Sequence, residues 1–397
     1  MRGHITKRSE DSYSIVLDVG TDPATGRRRQ QRVTVKGTKK DAEKRLGELI
    51  HQLDTGIFIR PGKTTLSEYL HRWVKEYAWP NLSPRTAEGY EHIISRHLVP
   101  ALGNIPLTQI KPEHLQKYYS EKLSGGRCDG KGGLSARTVR HHHVTLHTAL
   151  ESAVKWGLLV RNPADAVTPP RYQSREMHTL DEHGIHKLLE ASKSTNYYAL
   201  YYMALFTGMR RSELLALRWS DIDLAMCELS VTRTLHHLRD GSFIYRQPKT
   251  AKSRRMIALS PSTALVLKEH KEKQGIDHLL MGVPLKVSDL VFSHVDGNPL
   301  LPDTVTREWI RLTRRIGLPG IRLHDARHTH ASLMLKQGIH PKIVSERLGH
   351  SSIVITLDTY SHVSPGLQEA AALRFEELVN NPSFNGLDNK TAIRISP

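Results

Sequence analysis

Two stretches rich in proline, glycine and turn-forming residues divide the chain, and they constrain its fold more than any other feature. They read "IRPGKTT" and "NPADAVTPPRYQSRE". Such compositions predict linkers between structured segments. Since 397 residues are too many for one ordinary domain, we expect the linkers to separate domains. The predicted domains are residues 1–60, 65–165 and 176–380, followed by a tail at 381–397.

The first segment is predicted to be a small α+β domain. "SYSIVLDV" places Ile15, Leu17 and Val19 on one face of a strand, and "QRVTVKG" is the predicted return strand after the turn "DPATGRRR". "TKKDAEKRLGELIHQLDTG" has apolar residues at helical spacing and ends at Gly56, a predicted C-cap. The basic hairpin suits a DNA groove or phosphate edge. A hairpin whose charges are simply solvated is an equal alternative.

The second segment is predicted to be an all-α bundle. Thr65 and Glu68 form the pattern of a capping box, and Ser83 followed by Pro84 predicts another helix start. "KPEHLQKYYSEKL" and "SARTVRHHHVTLHTALESAVKWG" read as two further helices. The first helix of this bundle carries one apolar face, formed by Leu66, Tyr69, Leu70, Trp73, Val74 and Tyr77.

Three consecutive histidines, His141, His142 and His143, lie in the last of these helices. Consecutive helical residues point about 100° apart, so the three side chains cannot share one metal ion. The run predicts a polar or DNA-facing stripe.

The third segment is predicted to be mostly helical, with helices from about Asp181 and Asn196. Three β-like runs, "ELSVTRT", "SFIYR" and "RMIALS", predict a small antiparallel sheet inserted among the helices. The predicted fold class is therefore a multidomain protein, mainly α with small β-sheets.

Charge and cysteine content narrow the classes of function. The formal net charge of +17 indicates a polyanionic partner, nucleic acid before membrane. There are two cysteines and no CxxC pattern, so neither a disulfide framework nor a cysteine-bound zinc site is predicted, which suits a reducing cytosol. The start of the sequence lacks the apolar region of a signal peptide, and we find no run of 18 apolar residues.

The stretch "TGMRRSELLALRWSDID" predicts an anion-binding helix start. Arg210 would lie at the N-terminus of a helix, where the dipole favours an anion and a guanidinium can bind two phosphate oxygens. Glu213 could hold an arginine in place by an ion pair. A surface arginine near a helix end is the alternative.

The stretch "QPKTAKSRRM" lies between two β-like runs and places Lys249 and Lys252 on a predicted hairpin tip. A lysine with a lowered pKa can give a proton to a leaving alkoxide. A solvated loop is the alternative interpretation of this stretch.

The stretch "LHDARHTHAS" has two interpretations. His324 and Arg327 are three residues apart and share one face of a helix, which suits phosphate binding. The same residues spell H-D-x-x-H, close to the zinc peptidase pattern, with His324 and His328 as ligands and Asp325 as the base. His350 could then supply a third ligand, although aspartate replaces the usual glutamate and the positive net charge has no part in peptide hydrolysis.

The stretch "ERLGHSSIVITLDTYSH" contains His350 and, ten residues later, Tyr360. By residue type alone, Tyr360 could be a core tyrosine whose hydroxyl is bonded to a nearby carbonyl. Together with the arginines, lysines and His324, these residues suit holding a phosphodiester while a hydroxyl attacks phosphorus. Cationic donors stabilise the negative charge of that transition state. A tyrosine nucleophile conserves the bond energy in a phosphotyrosine ester, so no nucleotide is needed.

These motifs, in the order GxR, K, HxxR, LGH and Y, resemble the boxes of the tyrosine recombinases, the phage integrase family. The resemblance covers residues 65 to about 380. Residues 1–60 more loosely resemble the arm-site-binding domains of integrases carried by mobile elements.

The resemblance implies a role for each matching residue. Arg210 and Arg327 grip the scissile phosphate, while His324 and His350 donate hydrogen bonds to it, and His324 also accepts the tyrosine's proton. Lys249 is the acid for the 5′-hydroxyl, with Lys252 as the alternative. Tyr360 attacks and forms a 3′-phosphotyrosyl link. Glu213 supports this set.

The resemblance also implies the partners of the enzyme. Family members use no metal or nucleotide cofactor and act as homo-tetramers on two double-stranded DNA duplexes, at core and arm attachment sites. An excisionase or a host DNA-bending factor can take part. The implied location is the bacterial cytoplasm, in association with the nucleoid. A type IB topoisomerase and a non-catalytic DNA-binding regulator remain alternatives, whereas a chromosome-dimer resolvase lacks a segment like residues 1–60.

The segment after Tyr360 predicts an amphipathic helix, because apolar residues recur at intervals of three or four. They are Leu367, Ala370, Ala371, Phe375 and Leu378. Such a helix would pack on its own domain or on a neighbouring subunit.

Overall fold

The chain contains two compact units, Met1–Ser174 and Arg175–Pro397. The computed structural model describes residues 3–21, 26–54, 63–172, 177–248 and 253–360, together with 372–373, 375–376 and 379.

The N-terminal part of the first unit is an antiparallel sheet covered by one helix. The elements are β1 (Gly3–Ser9), β2 (Ser12–Thr21), β3 (Arg28–Lys36) and α1 (Lys39–Asp54), with strand order β1-β2-β3. Ile15 and Leu17 are fully buried, and Leu49 of α1 packs on them, as the alternation predicted. Strand β1 was not predicted, and Gly56 lies outside the described residues.

The rest of the first unit is an all-α bundle. Its helices are α2 (Leu66–Trp73), α3 (Trp79–Asn81), α4 (Pro84–Ile93), α5 (Val99–Leu102), α6 (Pro112–Gly125) and α7 (Ala136–Lys155), with π-helical turns at Val74–Ala78 and Ile94–Leu98. The predicted capping box at Thr65 and Glu68 is present, and Ser83 caps α4 as predicted. Trp73 is fully buried and stacks on Tyr77, which defines the centre of the core.

The prediction that the three histidines of α7 form a polar stripe is wrong for His142. This residue is 1% exposed, and its Nδ1 lies 2.9 Å from the Tyr118 hydroxyl. Burial lowers the pKa of His142 to about 3, and the nearby His97 adds to the effect. His142 therefore belongs to the core of the bundle, where a neutral imidazole accepts or donates a single internal hydrogen bond.

The second unit is mostly helical. Its elements are α8 (Glu182–Ser192), α9 (Tyr198–Thr207), α10 (Arg211–Leu214), β4 (Ile222–Asp223), β5 (Glu228–Val231), β6 (Thr234–His237), β7 (Phe243–Arg246), β8 (Arg255–Ala258), α11 (Pro261–Leu280), α12 (Pro302–Arg315), α13 (Leu323–Lys336), α14 (Pro341–Leu348) and α15 (Ile353–Tyr360). Helix α9 is buried along almost its whole length and packs against α8, α11 and α13. A helix that is apolar on every side must lie inside the domain, so α9 forms its centre.

The inserted strands form two sheets, not the single sheet that was predicted. One has the order β4-β5-β8, and the other pairs β6 with β7. The run "ELSVTRT" breaks into β5 and β6, and each part pairs with a different partner. Because β7 and β8 do not pair, the predicted hairpin between them is wrong. The two lysines placed on its tip, Lys249 and Lys252, lie outside the described residues.

Within the described ranges, no helix is long and apolar enough to cross a membrane. Of the predicted apolar stripe after Tyr360, only Phe375 belongs to the described residues, and it is 71% exposed. The other stripe residues and the tail at 381–397 lie outside them.

Candidate active site

Arg210 lies at the start of a short helix because the chain reverses just before it. Helix α9 ends at Gly208, whose φ of 64° is left-handed. Arg210 then takes an extended conformation as the N-cap of α10, and its backbone N–H donates to Glu213 Oε2 at 2.9 Å. The capped helix start fixes Arg210, as the sequence predicted.

Glu213 is buried, and two guanidinium groups share its carboxylate. Arg210 Nη1 donates to Oε1 at 2.8 Å, and Arg255 Nη2 donates to Oε2 at 2.9 Å. Burial tends to raise the pKa of Glu213, but the hydrogen bond and charge of Arg255 and the charge of Arg210 outweigh it and lower the pKa. One negative charge thus faces two positive ones.

Arg255 is a residue that the sequence interpretation missed. Only 6% of its side chain is exposed, and besides Glu213 it donates through Nε to the Arg347 carbonyl at 2.6 Å. A sequence signal exists, because strand alternation puts Arg255 on the same side of β8 as the buried Ile257. The run of lysines and arginines before it instead suggested a solvated loop.

Arg327 is buried in α13 with 3% of its surface exposed. Nη1 donates to the Gly208 carbonyl at 2.8 Å, and Nη2 donates to the Leu348 carbonyl at 2.7 Å. The guanidinium therefore joins the turn after α9 to the end of α14. Its orientation is fixed from two directions.

Two left-handed glycines, Gly208 and Gly349, form the turns that supply these carbonyl acceptors. A Cβ on Gly208 would lie 2.6 Å from Leu348 Cδ2, and one on Gly349 would lie 2.9 Å from Arg255 Nη1. The Gly349 carbonyl accepts from Arg210 Nη2 at 3.3 Å. Positive φ and close approach both require glycine at these two positions.

His324 and His328 lie one turn apart on α13, with ring centroids 4.9 Å apart. His324 is exposed at the surface, but the protein around it still displaces enough water to lower its pKa to about 4, with His328 and Arg327 contributing. The pKa of His328 is lowered as well, mainly by burial. Near pH 7 both rings are neutral, so each can donate through one nitrogen and accept through the other.

His350 follows the Gly349 turn and is half-buried. Its Nδ1 lies 2.7 Å from Thr356 Oγ1 of α15. Burial, together with the nearby charges of Arg327 and Arg210, lowers the pKa of His350 to about 4. The ring is therefore neutral near pH 7 and belongs to the same electrostatic cluster as the two arginines.

A second pair missed in the sequence, Arg347 and His330, connects the surrounding elements. Arg347 Nε donates to His330 Nε2 at 3.1 Å, so His330 donates through Nδ1 to the Leu205 carbonyl at 2.9 Å. Arg347 also donates to the carbonyls of Phe206 and Ala258. These bonds hold α14 against α9 and β8. No sequence pattern marks the pair, since it depends on tertiary neighbours.

A cavity of about 490 Å³ opens beside His350 and Arg255. Arg254, Lys342 and Ser351 also line it, together with one acidic residue, Glu346. Cationic side chains and hydroxyls are suited to an anionic ligand.

Tyr360 is the last residue of α15. It lies one helical turn beyond Thr356, which contacts His350. The backbone therefore brings the predicted nucleophile into the segment that packs on the cluster.

The zinc-peptidase interpretation of H-D-x-x-H does not fit the geometry of Asp325. This residue is fully buried, and Arg322 donates to both of its oxygens, through Nη2 at 2.7 Å and Nε at 3.0 Å. A carboxylate engaged in this way cannot serve as the base for a bound water. In the part of the chain that the structure describes, no three histidine, cysteine or carboxylate side chains are grouped to hold a metal ion.

Two family models match the sequence. "Phage integrase family" matches residues 178–366, and "Phage integrase, N-terminal SAM-like domain" matches residues 65–123. Together they cover more than half of the chain. The chain belongs to the phage integrase family. It is thus a tyrosine recombinase, a site-specific DNA recombinase, as the sequence motifs predicted.

Two relatives of this tyrosine recombinase are similar to it over more than nine tenths of their length. A "Tyrosine recombinase XerC-like" protein of Caldanaerobacter subterraneus is 29% identical over 378 residues, which cover 90% of this chain and 94% of the relative. The ICEBs1 integrase of Bacillus subtilis is 25% identical, with 94% of this chain and 100% of the relative covered.

Solved structures share the fold of this tyrosine recombinase. The Tn1549 transposon integrase in complex with a circular intermediate DNA has a TM-score of 0.64 at 20% identity, covering 79% of this chain and 99% of the other. A lambda integrase dimer bound to a COC′ core site has a TM-score of 0.56 at 21% identity, covering 90% and 94%. The predicted fold class, multidomain and mainly helical with small antiparallel sheets, is confirmed.

Proposed function

We propose that this tyrosine recombinase is an integrase that cuts and rejoins DNA through a 3′-phosphotyrosyl intermediate and thereby integrates and excises a mobile element or prophage. The observation that supports it most directly is the fixed pair of guanidinium groups. Arg210 and Arg327 are both anchored to the turn at Leu348 and Gly349, beside the neutral imidazole of His350. Such an arrangement is prepared for a phosphate before any ligand binds.

In the proposed reaction, the two arginines bind the non-bridging oxygens of one phosphodiester. His324 and His350 donate further hydrogen bonds to the same group. These contacts strengthen as negative charge develops in the transition state, because the donors are already oriented and partly shielded from water.

The Tyr360 oxygen attacks phosphorus, and its proton passes to His324, which is neutral and therefore able to accept it. A bond from the tyrosine oxygen to phosphorus forms as the bond from phosphorus to the 5′-oxygen breaks. Lys249, or Lys252 in its place, protonates the leaving 5′-oxygen. The reverse sequence, with a different 5′-hydroxyl as attacker, releases Tyr360 and rejoins the strand without a cofactor.

The domains have separate proposed tasks. Residues 1–60 bind arm sites, residues 65–165 bind the core site, and residues 176–380 carry the chemistry. Four subunits act together on two duplexes, and an excisionase or a DNA-bending host protein favours one direction. The proposed place of action is the nucleoid in the bacterial cytoplasm.

A nicked duplex that carries the attachment site next to the gene tests the proposal. Because of the nick, cleavage releases a short fragment that carries the 5′-hydroxyl, and this fragment diffuses away before it can be rejoined. The wild-type protein should therefore accumulate a covalent DNA adduct that survives denaturing electrophoresis. Tyr360→Phe should form no adduct and should bind the duplex within about twofold of wild type. An adduct in that variant would refute the assignment of the nucleophile. Joining of two labelled sites then separates a recombinase from a topoisomerase, which would only relax DNA.

A further inference from the structure

The contact between Thr356 and His350 joins the two parts of the catalytic unit that must meet for cleavage. Thr356 is fully buried, and its Oγ1 lies 2.7 Å from His350 Nδ1. His350 belongs to the turn whose carbonyls anchor Arg210 and Arg327. Thr356 belongs to α15 and lies four residues, about one helical turn, before Tyr360.

This threonine differs from two other buried threonines in the helices that the structure describes. Thr145 and Thr207 donate their hydroxyl hydrogen to the carbonyl four residues earlier, those of His141 and Met203. That bond is local and satisfies the hydroxyl within its own helix. Thr356 instead lies against the imidazole of His350, which precedes α15. Its hydroxyl therefore connects α15 to another segment of the chain.

The chemistry of a neutral imidazole makes the direction of this bond important. A neutral ring carries one N–H, and the hydrogen bond at one nitrogen decides which nitrogen carries the hydrogen. A phosphate has only acceptor oxygens. For His350 to donate to it through Nε2, Nδ1 must carry no hydrogen and must accept a bond from its neighbour.

We propose that Thr356 is a positioning residue whose hydroxyl donates to His350 Nδ1, which holds His350 with its hydrogen on Nε2 and docks the helix of Tyr360 against the phosphate site. The inference rests on the proposed function, and it adds a residue that the motif positions do not include. One hydrogen bond then sets both the tautomer of His350, which donates to the phosphate, and the position of the helix that carries Tyr360. Helix α15 cannot leave its position without also releasing the correct tautomer.

The test begins with the tautomer of His350 in the free wild-type protein, measured by ¹⁵N NMR with histidine labelling and with His350→Gln to assign the signals. The expected result at pH 7 is a protonated Nε2 and an unprotonated Nδ1. A hydrogen on Nδ1 would show that Thr356 accepts the bond, and this would overturn the proposal without any measurement on DNA.

The second part compares cleavage of the nicked duplex by three variants. Thr356→Val keeps the branched shape, loses the hydroxyl and should slow adduct formation about tenfold, as expected when one oriented hydrogen bond is lost. Thr356→Ser keeps the hydroxyl and should restore most of the rate. Thr313→Val, which removes a buried hydroxyl bonded to the Ile310 carbonyl on α12, controls for lost stability and should cleave like wild type.

The two proposals fail in different ways. If the wild-type protein forms no Tyr360-dependent adduct, the proposed function fails, whatever the tautomer. If it forms the adduct and Thr356→Val cleaves at the wild-type rate, only the role of Thr356 fails. In a protein that already carries His350→Ala, Thr356→Val should lower the rate of adduct formation only slightly. If it still lowers that rate about tenfold, Thr356 acts independently of His350.

Discussion

Arg327 shows how the backbone around a single buried residue can fix the orientation of its side chain. Its guanidinium is buried, and carbonyl oxygens of Gly208 and Leu348 accept two of its hydrogen bonds. Carbonyl dipoles orient the group without cancelling its charge. Arg210 is held similarly, but it shares Glu213 with Arg255 and is more exposed, at 36% of its side chain. We therefore expect the two arginines to respond differently to substitution.

Arg210→Ala should slow cleavage far more than it weakens binding of the core site. The lost contact is strongest in the transition state, so the expected effect is on the order of 3 kcal/mol, or roughly a hundredfold in rate. Single-turnover cleavage and gel-shift titration of the same duplex measure the two quantities. Arg311→Ala, at an exposed position paired with Glu308 on α12, is the matched control and should change neither by more than about twofold.

Arg327→Ala should cause the same loss of rate and also lower the melting temperature, because two buried carbonyls lose their donor. Equal losses in binding and in rate for either variant would identify that arginine as an ordinary phosphate anchor.

Among single residues, the sequence could predict those that a local sequence pattern identifies. Arg210 and Glu213 were predictable because a helix start, a cap and an i, i+3 spacing are local properties. Arg255, Arg347, His330 and Thr356 were not, since the partners that place them lie between 17 and 141 residues away or depend on how α15 packs. The roles of Lys249 and Tyr360 remain predictions from the motifs.

Among the elements, the turn between α9 and α10 has the strictest requirement. Gly208 combines a left-handed φ with close contacts to Leu348 and His330. Gly275 lies within α11, and a Cβ there would meet no atom within 4 Å. The two glycines therefore offer a matched pair with opposite expectations.

Gly208→Ala should destabilise the protein by at least about 1–2 kcal/mol, because an L-residue is strained at this φ and the new methyl group would contact Leu348. Gly275→Ala should stabilise it by about 0.5–1 kcal/mol, because alanine is the better helix former. Chemical denaturation monitored by circular dichroism measures both. If Gly208→Ala leaves the free energy of unfolding unchanged, the turn relaxes, and the Gly208 carbonyl that accepts from Arg327 is less fixed than the geometry indicates.

Strand predictions failed where the local pattern is weak. β1 is mostly exposed, with Ile5 as its only large apolar residue, so alternation could not reveal it. The run "ELSVTRT" looked like one strand because its composition is uniform. The break at Thr232 and Arg233 follows from tertiary contacts, since both side chains bond to Asp221. The helices were predictable because caps and apolar faces mark them in the sequence.

On the scale of the whole molecule, buried histidines link stability to pH. His142 and His330 have pKa values lowered by burial to about 3 and about 4. An unfolded histidine has a pKa near 6.5. Below that pH the unfolded chain binds protons that the folded chain does not bind, so stability must fall as the pH falls from about 6.5 towards 4.

At pH 5, we expect each of these histidines to reduce the free energy of unfolding by up to about 2 kcal/mol relative to pH 7. Calorimetric melting curves between pH 7.5 and pH 5 measure the decrease. His142→Gln, which cannot titrate, should give a shallower dependence than wild type. His141→Gln at the exposed neighbour is the control and should leave the slope unchanged. An identical slope in all three proteins would show that His142 does not remain neutral.

Residues 1–60 should contact a DNA sequence separate from the one that is cut. We expect this because the start of the chain contains a basic β-hairpin, and a stretch with proline and glycine links it to segments that match the family models. Tethered modules gain affinity through their effective concentration, so the full chain can bridge two sites. A fragment starting at Pro61 should bind and cleave a core site but fail in full recombination. Footprints that cover identical bases for both proteins would contradict this arrangement.

The residues around the candidate active site come from two parts of the chain, which are separated by an exposed segment. Arg210, Glu213 and Arg255 precede the exposed segment at Gly282 and Val283, whereas Arg327 and His350 follow it. The bond from Arg210 to the Gly349 carbonyl crosses between the pieces. A protein divided at this segment would yield two halves, each without the complete set of residues that we propose to bind the phosphate. If the two halves are fused to domains that associate only under chosen conditions, we expect cleavage activity to depend on that association.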